Sequence, residues 1–298
     1  MDKLNAMTTF VRIVDRGTMT GAARSLGTSL PSVVRTLAAL ERFLGVRLLN
    51  RTTRRIQLTE EGRVYLERCR RIVEEVEEAD RSMSARRATP SGNVAVTAPV
   101  LFGRMHVAPI VAGFLAEHPE VRVELMLQDR IVNLLEENLD VAVRIGPLAD
   151  SSLVAVPVGH VRRIVCASPR LLRRTGGPKH PSDLAGRPCI GFTGLGGEEW
   201  SFRADGRAIA VRVKGPLSSN HADVALDACA GGLGYGRFLS YQAMPLVKRG
   251  KLRIVLAGFE PPPIPVSIVV PHARLLPVRV RAFVDWSAAR LRRALAPA

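Results

Sequence analysis

Residues 17–62, GTMTGAARSLGTSLPSVVRTLAALERFLGVRLLNRTTRRIQLTEEG, constrain this chain more than any other stretch. They hold a helix-turn-helix rhythm, a basic hairpin and a fresh helix start, in that order. Few uses of ~45 residues need all three, and a reader of double-stranded DNA is the one that does. Upstream, Leu4, Met7, Phe10, Val11 and Val14 recur at three- and four-residue spacing. They predict one apolar face of a first helix, stopped near Gly17. Thr18 or Thr20 can cap a second helix over 21–26. Its small residues Gly21, Ala22 and Ala23 let another helix approach, and Gly27 permits the tight turn.

Ser29 is placed to cap a third helix, with Pro31 in the first turn, where a missing N–H costs nothing. At ~100° per residue, Leu30, Val33, Leu37, Leu40 and Leu44 fall on one side. Pro31, Ser32, Arg35, Thr36, Ala39 and Arg42 fall on the other. The first side reads as core. The second is short, polar and basic, so backbone can approach a major groove while Arg35 reaches a base or phosphate. A solvated helix face would show the same spacing; the small-residue helix before it and the hairpin after it favour a reading face. That hairpin spans 46–58. Leu48 and Leu49 pair with Ile56 and Leu58 around a basic tip, Arg51, Thr52, Thr53, Arg54 and Arg55, suited to phosphates or a minor groove. The first 55 residues carry ten Lys or Arg against three Asp or Glu. Such density suits a polyanion.

Thr59 caps the next helix, with Glu60 and Glu61 complementing the dipole of its first turn. Tyr65, Cys69, Ile72, Val76, Ala79 and Met83 then alternate four and three apart, a heptad seam. Over 59–87 this helix would run ~43 Å. A seam on a charged helix calls for a partner helix, and a second copy of the chain is the simplest source. Tyr65, Ile72, Val76 and Met83 are therefore the dimerisation candidates. Two copies would present two third helices to a palindromic site. Residues 88–92 read as a hinge.

The chain's 298 residues suit two or more domains, and its formal charge is +16. Cys69, Cys166, Cys189 and Cys229 are widely spaced, without CxxC or Cys/His pairing, so neither a metal site nor a disulfide framework is expected. The N-terminus does not resemble a signal peptide, and no window reaches the ~20 apolar residues of a membrane span. The expected location is cytoplasmic and nucleoid-associated, away from membrane. From Asn93 onward, β-rich runs at 93–98, 121–127 and 140–145 alternate with helical patterns near 105–117 and 130–138. A second series follows at 163–167, 189–192 and 208–214, with a helix at 221–230. A run at 266–270 and a helix at 278–295 close the chain. The alternation predicts short parallel strands with crossover helices.

The order of parts resembles the LysR-type transcriptional regulators, over the whole chain. The most specific run lies between Ala22 and Gly62: AAR-LG-S-P…V-R…LE-LGVRLLNRTTRR…LTEEG. Its RTTRR wing is similar to the subgroup of CrgA- and DmlR-like regulators, which are bacterial. Leu30 stands where the family usually has a polar residue, and Val34 where it often has serine. Both family positions tend to face DNA. Here they make apolar contacts, as to thymine methyls, or turn to the core. The resemblance implies a DNA-binding set of Ser29, Leu30, Pro31, Ser32, Val34, Arg35, Thr36, Arg51, Thr52, Thr53 and Arg54. It implies a winged helix-turn-helix over 1–58, a linker helix and hinge over 59–90, and an effector-binding domain over 91–298. That domain would be a periplasmic-binding-protein-like pair of α/β lobes, lobe I from 91–161 and 264–298, lobe II from 162–263.

In such folds ligands sit at strand C-termini and helix N-termini. The candidates are Ala98, Pro99, Val100 and Phe102 after the first strand, Gln128 after the second, and Arg144 and Gly146 after the third. Lobe II adds Phe192, Ser219, Asn220 and His221. Free N–H groups favour an anion, Arg144 adds charge, and Pro99 and Phe102 are apolar walls. The expected effector is a small organic acid, with no cofactor and no metal. GFTGLGG at 191–197 lacks the Lys-Ser/Thr of a phosphate loop, and no GxSxG, HExxH or paired-carboxylate motif is present. The expected function is therefore an effector-controlled transcription regulator, not an enzyme. Its partners are palindromic double-stranded DNA, further copies of itself, the effector and RNA polymerase. Two alternatives stay open: the same regulator driven by Cys189 and Cys229 redox chemistry, and a DNA-binding head fused to a small-molecule enzyme.

Overall fold

The computed structural model describes residues 1–51, 56–84, 89–147, 153–271 and 276–296. They form two compact units, Met1–Thr89 and Pro90–Ala298.

The first unit runs α1 (Lys3–Arg16), α2 (Met19–Ser25), α3 (Leu30–Leu44), β1 (Leu49–Arg51), β2 (Ile56–Leu58) and α4 (Glu60–Ser84). Four helix starts are sealed in one way: the side chains of Asp2, Thr18, Ser29 and Thr59 accept from the N–H three residues on, at 3.1, 3.0, 3.3 and 2.9 Å. Each satisfies a donor that the helix itself leaves unpaired. Thr18, not Thr20, therefore caps α2. The strands pair antiparallel, with Leu49 opposite Leu58 and Arg51 opposite Ile56. Leu48 precedes the strand and is buried with Leu49 in the core. The expected tip residues Thr52, Thr53, Arg54 and Arg55 lie outside the described residues, as does the side chain of Arg51.

Three expectations shift here. The face of α1 is broader than a single stripe: Ala6, Thr9, Phe10 and Ile13 are buried, while Leu4 stays exposed. The cause is packing by α2, α3 and α4 together. On α3 the core stripe starts at Val33 and continues through Leu37 and Leu40; Leu30, in the first turn, is 42% exposed. On α4 the seam divides. Cys69 is buried in the head, and the Tyr65 ring lies 6.0 Å from that of Phe10 in the same chain. Ile72 is exposed and Val76 half-buried. The side chain of Met83 lies outside the described residues.

The second unit runs β3 (Gly92–Ala98), α5 (Val100–Phe102), a π turn (Gly103–Val107), α6 (Ala108–Glu117), β4 (Val121–Leu127), β5 (Val141–Ile145), β6 (Val154–Val161), β7 (Arg163–Ala167), α7 (Pro169–Thr175), β8 (Pro188–Phe192), β9 (Glu199–Ala204), β10 (Arg207–Arg212), β11 (Lys214–Ser219), α8 (Ala222–Ala230), β12 (Tyr235–Leu239), α9 (Ser240–Lys248), β13 (Arg253–Val255), β14 (Ile264–Val270) and α10 (Val278–Ala294). Two five-stranded sheets result, ordered β4-β3-β5-β14-β6 and β11-β8-β12-β7-β13. Each is mixed. β3 runs parallel to β4 and β5, but β14 is antiparallel to β5 and β6. β8 runs parallel to β11 and β12, but β7 is antiparallel to β12 and β13.

The chain thus builds lobe I, crosses at Arg162, builds lobe II and returns before β14. The two crossings meet: Arg162 Nη1 lies 3.4 Å from Glu260 Oε2, and the Arg162 backbone exchanges hydrogen bonds with Ser240.

The strand expected over 208–214 is two, β10 in a hairpin with β9 and β11 parallel to β8. The helix expected over 130–138 is absent. Asn133 Oδ1 accepts from Leu135 N–H, Asn138 takes a left-handed φ of 55°, and Arg130 grips Glu137 at 2.6 Å. Side chains that bond their own backbone hold such a segment in turns. Residues Val100–Glu117 form a continuous helical run with mean hydropathy 1.3, apolar and long enough to cross a membrane by composition. Here Phe102, Val107, Ile110, Val111 and Phe114 are instead part of the lobe core, which explains their apolar character.

α4 begins in direct contact with the turn before the hairpin. A Cβ at Gly62 would stand 2.0 Å from the Leu48 carbonyl oxygen. Gly62→Ala should therefore separate α4 from the hairpin and cost the head about 3 kcal/mol. Thermal unfolding of the head followed by circular dichroism tests this; an unchanged midpoint would refute the contact.

Candidate functional site

The head presents one face of α3. Its inner side is closed by Val33, Leu37 and Leu40, while Pro31 and Arg35 are exposed and Ser32, Val34 and Thr36 half-buried. Ser29 serves as the cap of this helix. Its hydroxyl accepts from the Ser32 N–H of the first turn, at an end of α3 that is exposed. Leu30 joins that exposed end, which resolves the ambiguity of its position: it does not turn to the core.

The face is held by a residue that periodicity does not reveal. Glu41, on α3, accepts from the N–H groups of Leu48 and Leu49 at 2.9 and 3.3 Å. It fixes the angle at which the hairpin leaves α3. Thr59 closes the other end, donating to the Arg47 carbonyl at 2.7 Å while capping α4. The only local signal is the pair Leu40-Glu41 inside the family-like string; the contact spans a turn and has no sequence period.

In the second unit the expected effector residues collect in two groups. In lobe I, Ala98 and Phe102 are buried, while Pro99, Val100 and Gln128 are half-buried. Gln128 N–H donates to the Ala98 carbonyl at 3.0 Å. The Val100 N–H, at the start of α5, is not free: Asp129 Oδ1 accepts it at 3.0 Å. In lobe II, Phe192 lies opposite Ser219 at the ends of β8 and β11, directly before α8. Ser219 Oγ accepts from His221 N–H at 3.0 Å; Asn220 and His221 are exposed, and no side chain caps α8.

Two expected roles are corrected. Phe102 is fully buried and is no open wall. It packs edge-on against Tyr241 of α9, centroids 5.1 Å apart, and beside His106 at 4.8 Å. Arg144 lies on the face of β5 that carries Ala142, and its Nη2 donates to the Val132 carbonyl. Its head is engaged by the small core around Val132 and Leu134. Gly146 ends the strand with φ 134° and donates to the Pro265 carbonyl.

Sequence reasoning missed the residues that join the lobes. Arg104 Nη1 meets Asp223 Oδ2 at 3.3 Å, and His106 lies 5.7 Å from Tyr241. Their partners are remote in sequence, so no local pattern marks them. They sit on or against the π turn, a rare geometry that tends to accompany functional sites. His106 Nε2 is buried without a hydrogen-bond partner, and burial holds the imidazole pKa below its ordinary value. Burial pushes the Tyr241 hydroxyl up, with Asp129 and Asp223 adding to the effect.

The cysteines are all buried and unpaired. Burial raises Cys189 and Cys229 to about 12, and Cys69 to about 11. The thiolate, which is the reactive form, is thereby suppressed. No group of three or more His, Cys, Asp or Glu able to hold a metal occurs among the described residues.

Because His106 is protonated more readily unfolded than folded, its contribution is present above about pH 6.5 and is lost as pH falls through its folded pKa. The unfolding midpoint of the second unit should drop between pH 7.5 and 5. His106→Phe should flatten that drop; an identical pH profile in the variant would refute the assignment.

Comparison with known proteins fits both units. Residues 4–63 match the model described as bacterial regulatory helix-turn-helix protein, lysR family, and residues 87–292 match the LysR substrate binding domain. An HTH-type transcriptional repressor of Pseudomonas aeruginosa is 36% identical over 289 residues, covering 96% of this chain and 91% of its own. An HTH-type transcriptional regulator of Xanthomonas campestris is 37% identical, covering 97% and 85%. Among solved structures, CrgA of Neisseria meningitidis, a LysR-type transcriptional regulator, is 31% identical with a TM-score of 0.62, covering 96% of this chain and 98% of its own. The head with its α3 face and the two-lobed unit that follows it in sequence belong to one family: this chain is a member of the LysR family of transcriptional regulators, with an N-terminal DNA-binding head and a C-terminal effector-binding domain.

Proposed function

We propose that the chain reads a palindromic operator through α3 and adjusts that reading when a small organic acid enters the cleft between its lobes. The observation that carries the reading is α3 itself: a helix buried through Val33, Leu37 and Leu40 that leaves Pro31, Ser32, Arg35 and Thr36 on its outer side. Arg35 is assigned a base or phosphate contact. Ser32 and Thr36 supply short polar groups that let backbone approach. Leu30 and Val34 are assigned apolar contacts such as thymine methyls. Arg51, Thr52, Thr53 and Arg54 are assigned to the wing. Residues 1–58 are taken as the reading module, 59–90 as the connector and 91–298 as the sensor.

Pairing of two copies is assigned to the part of α4 not engaged by its own head, with Ile72 exposed and Val76 half-buried there. Dimers of such dimers would bend the operator, and RNA polymerase would be the downstream partner. The expected setting is the bacterial nucleoid. For the effector, the free start of α8 favours an anion on lobe II, beside Ser219, Asn220 and His221. The start of α5 favours it less, because Asp129 already holds the Val100 N–H. Closure of lobe on lobe would then change the spacing of the heads. The suppressed thiolates of Cys189 and Cys229 weigh against redox control.

The decisive experiment uses fluorescence anisotropy and footprinting on DNA upstream of the neighbouring divergent gene. A symmetric, paired-half-site footprint is expected, with Arg35→Ala weakening binding ~10- to 100-fold. A single undivided half-site at all protein concentrations would overturn the dimeric reading. A thermal-shift screen of aromatic and aliphatic carboxylates should raise the midpoint of the second unit, and Asn220→Leu with Ser219→Ala should abolish the shift. Cys189→Ser and Cys229→Ser should leave the response intact.

A further inference from the structure

Lobe II contains a cation that the proposed function does not use. Arg237, on β12, is only 5% exposed. β12 and β7 pair antiparallel, with Arg237 opposite Val165 and Leu239 opposite Arg163. Directly opposed residues share a face of the sheet, and alternate residues of a strand do too. Arg237 and Arg163 are therefore diagonal neighbours on one face, within reach of each other. This is the face that carries Tyr235, Val165 and Ala167, packed with Trp200 of the β9–β10 hairpin.

The surroundings of Arg237 do not balance its charge. Its guanidinium carbon lies 5.4 Å from the centre of the Trp200 ring, and Nη2 donates to the Leu195 carbonyl. Its Nε is buried with no hydrogen-bond partner. Among the described residues no acidic side chain forms an ion pair with Arg237 or Arg163. The charge that acts on Arg237 is instead that of Arg163, which has the same sign. Burial first, and this like charge second, lower the Arg237 pKa to about 10. A buried cation without a counter-charge is costly, and a second cation beside it adds to the cost. A ring face and one carbonyl are weak compensation. A bound oxyanion would remove both defects, accepting from the orphaned Nε and neutralising the pair.

The cover over this guanidinium is thin. It is the turn Thr193–Leu195, followed by Gly196 and Gly197, both left-handed at φ 92° and 66°. Thr193, Gly194 and Gly196 are exposed. A Cβ at Gly196 would stand 3.8 Å from Arg237 Nη2, so the exposed Gly196 covers the guanidinium there with backbone and no side chain.

We propose that Arg237 and Arg163 form an oxyanion-binding site beneath the Thr193–Gly197 turn of lobe II, taking a small dianion of the phosphate or sulfate class. Two guanidinia on one face of the sheet suit two negative charges better than one. The site shares no residue with those assigned to the carboxylate effector, so it stands or falls separately from that reading. It would give the sensor domain a second input, one that stiffens lobe II from its outer face.

The test uses Trp200 as a local reporter. The chain has two tryptophans, Trp200 and Trp286. In the full-length Trp286→Phe variant, Trp200 alone reports, and anions held by the basic head leave it silent. Inorganic phosphate titrated at constant ionic strength should produce a saturable change in Trp200 emission. Arg237→Gln in that background should abolish it. Arg163→Gln, at a half-exposed position, should weaken apparent affinity about tenfold, the scale of one charge-assisted contact. Should Arg237→Gln fail to fold by circular dichroism, Arg163→Gln decides. An unsaturable response, a response unaltered by Arg163→Gln, or an equal response to acetate would overturn the proposal.

Discussion

The head depends on one close approach: the backbone of Gly62 against the carbonyl of Leu48. That contact lets α4 start where the hairpin begins. Thr59 then reaches both the Arg47 carbonyl and its own helix, and Glu41 of α3 reaches the Leu48 and Leu49 amides. Three elements that share one apolar core are also tied by directed hydrogen bonds. Burial holds them together without direction, and the hydrogen bonds set their relative angles. A DNA-binding head needs that, since a tilt of α3 moves every side chain on its outer face together.

Much of the head was legible in its residues. Caps, glycine stops and the Val33–Leu37–Leu40 stripe are local, so spacing alone predicts them. What spacing misassigned lies at ends and shared faces. Leu30 has the phase of the core but sits in the first turn, beyond the reach of the packing partners. Tyr65 has the phase of a seam to another copy, yet its ring already packs near Phe10 of α1; Cys69, in the same phase, is the small core residue its type suggests. A helical period states which residues share a side; it does not state what will cover that side.

The lobes were legible in outline and obscure at their junction. β-rich runs and crossover helices follow from pattern, whereas the reversal of β14 and β7 depends on how the chain returns through both lobes. The 130–138 segment has a helical composition, but Asn133 and Asn138 offer the backbone local alternatives that win. Arg104 and His106 of the π turn, Asp223 of α8 and Tyr241 of α9 come from three places in the chain and meet only because the lobes do. Of the expected cleft residues, Phe192 and Ser219 are brought side by side, while Phe102 and Arg144 are drawn into cores. A lone side chain's type signals its chemistry, but its direction is decided by neighbours the sequence does not place.

The bond from Val100 N–H to Asp129 has a consequence for ligand selection. A carboxylate fixed to the same chain is a resident competitor, present at an effective concentration set by its tether and not by the cell. An acid seeking the Val100 amide must displace it and repel the Asp129 charge that remains beside it. Weak and abundant carboxylates would then fail at that position. A helix start so guarded would favour ligands that bring a donor for Asp129 along with an acceptor for the amide.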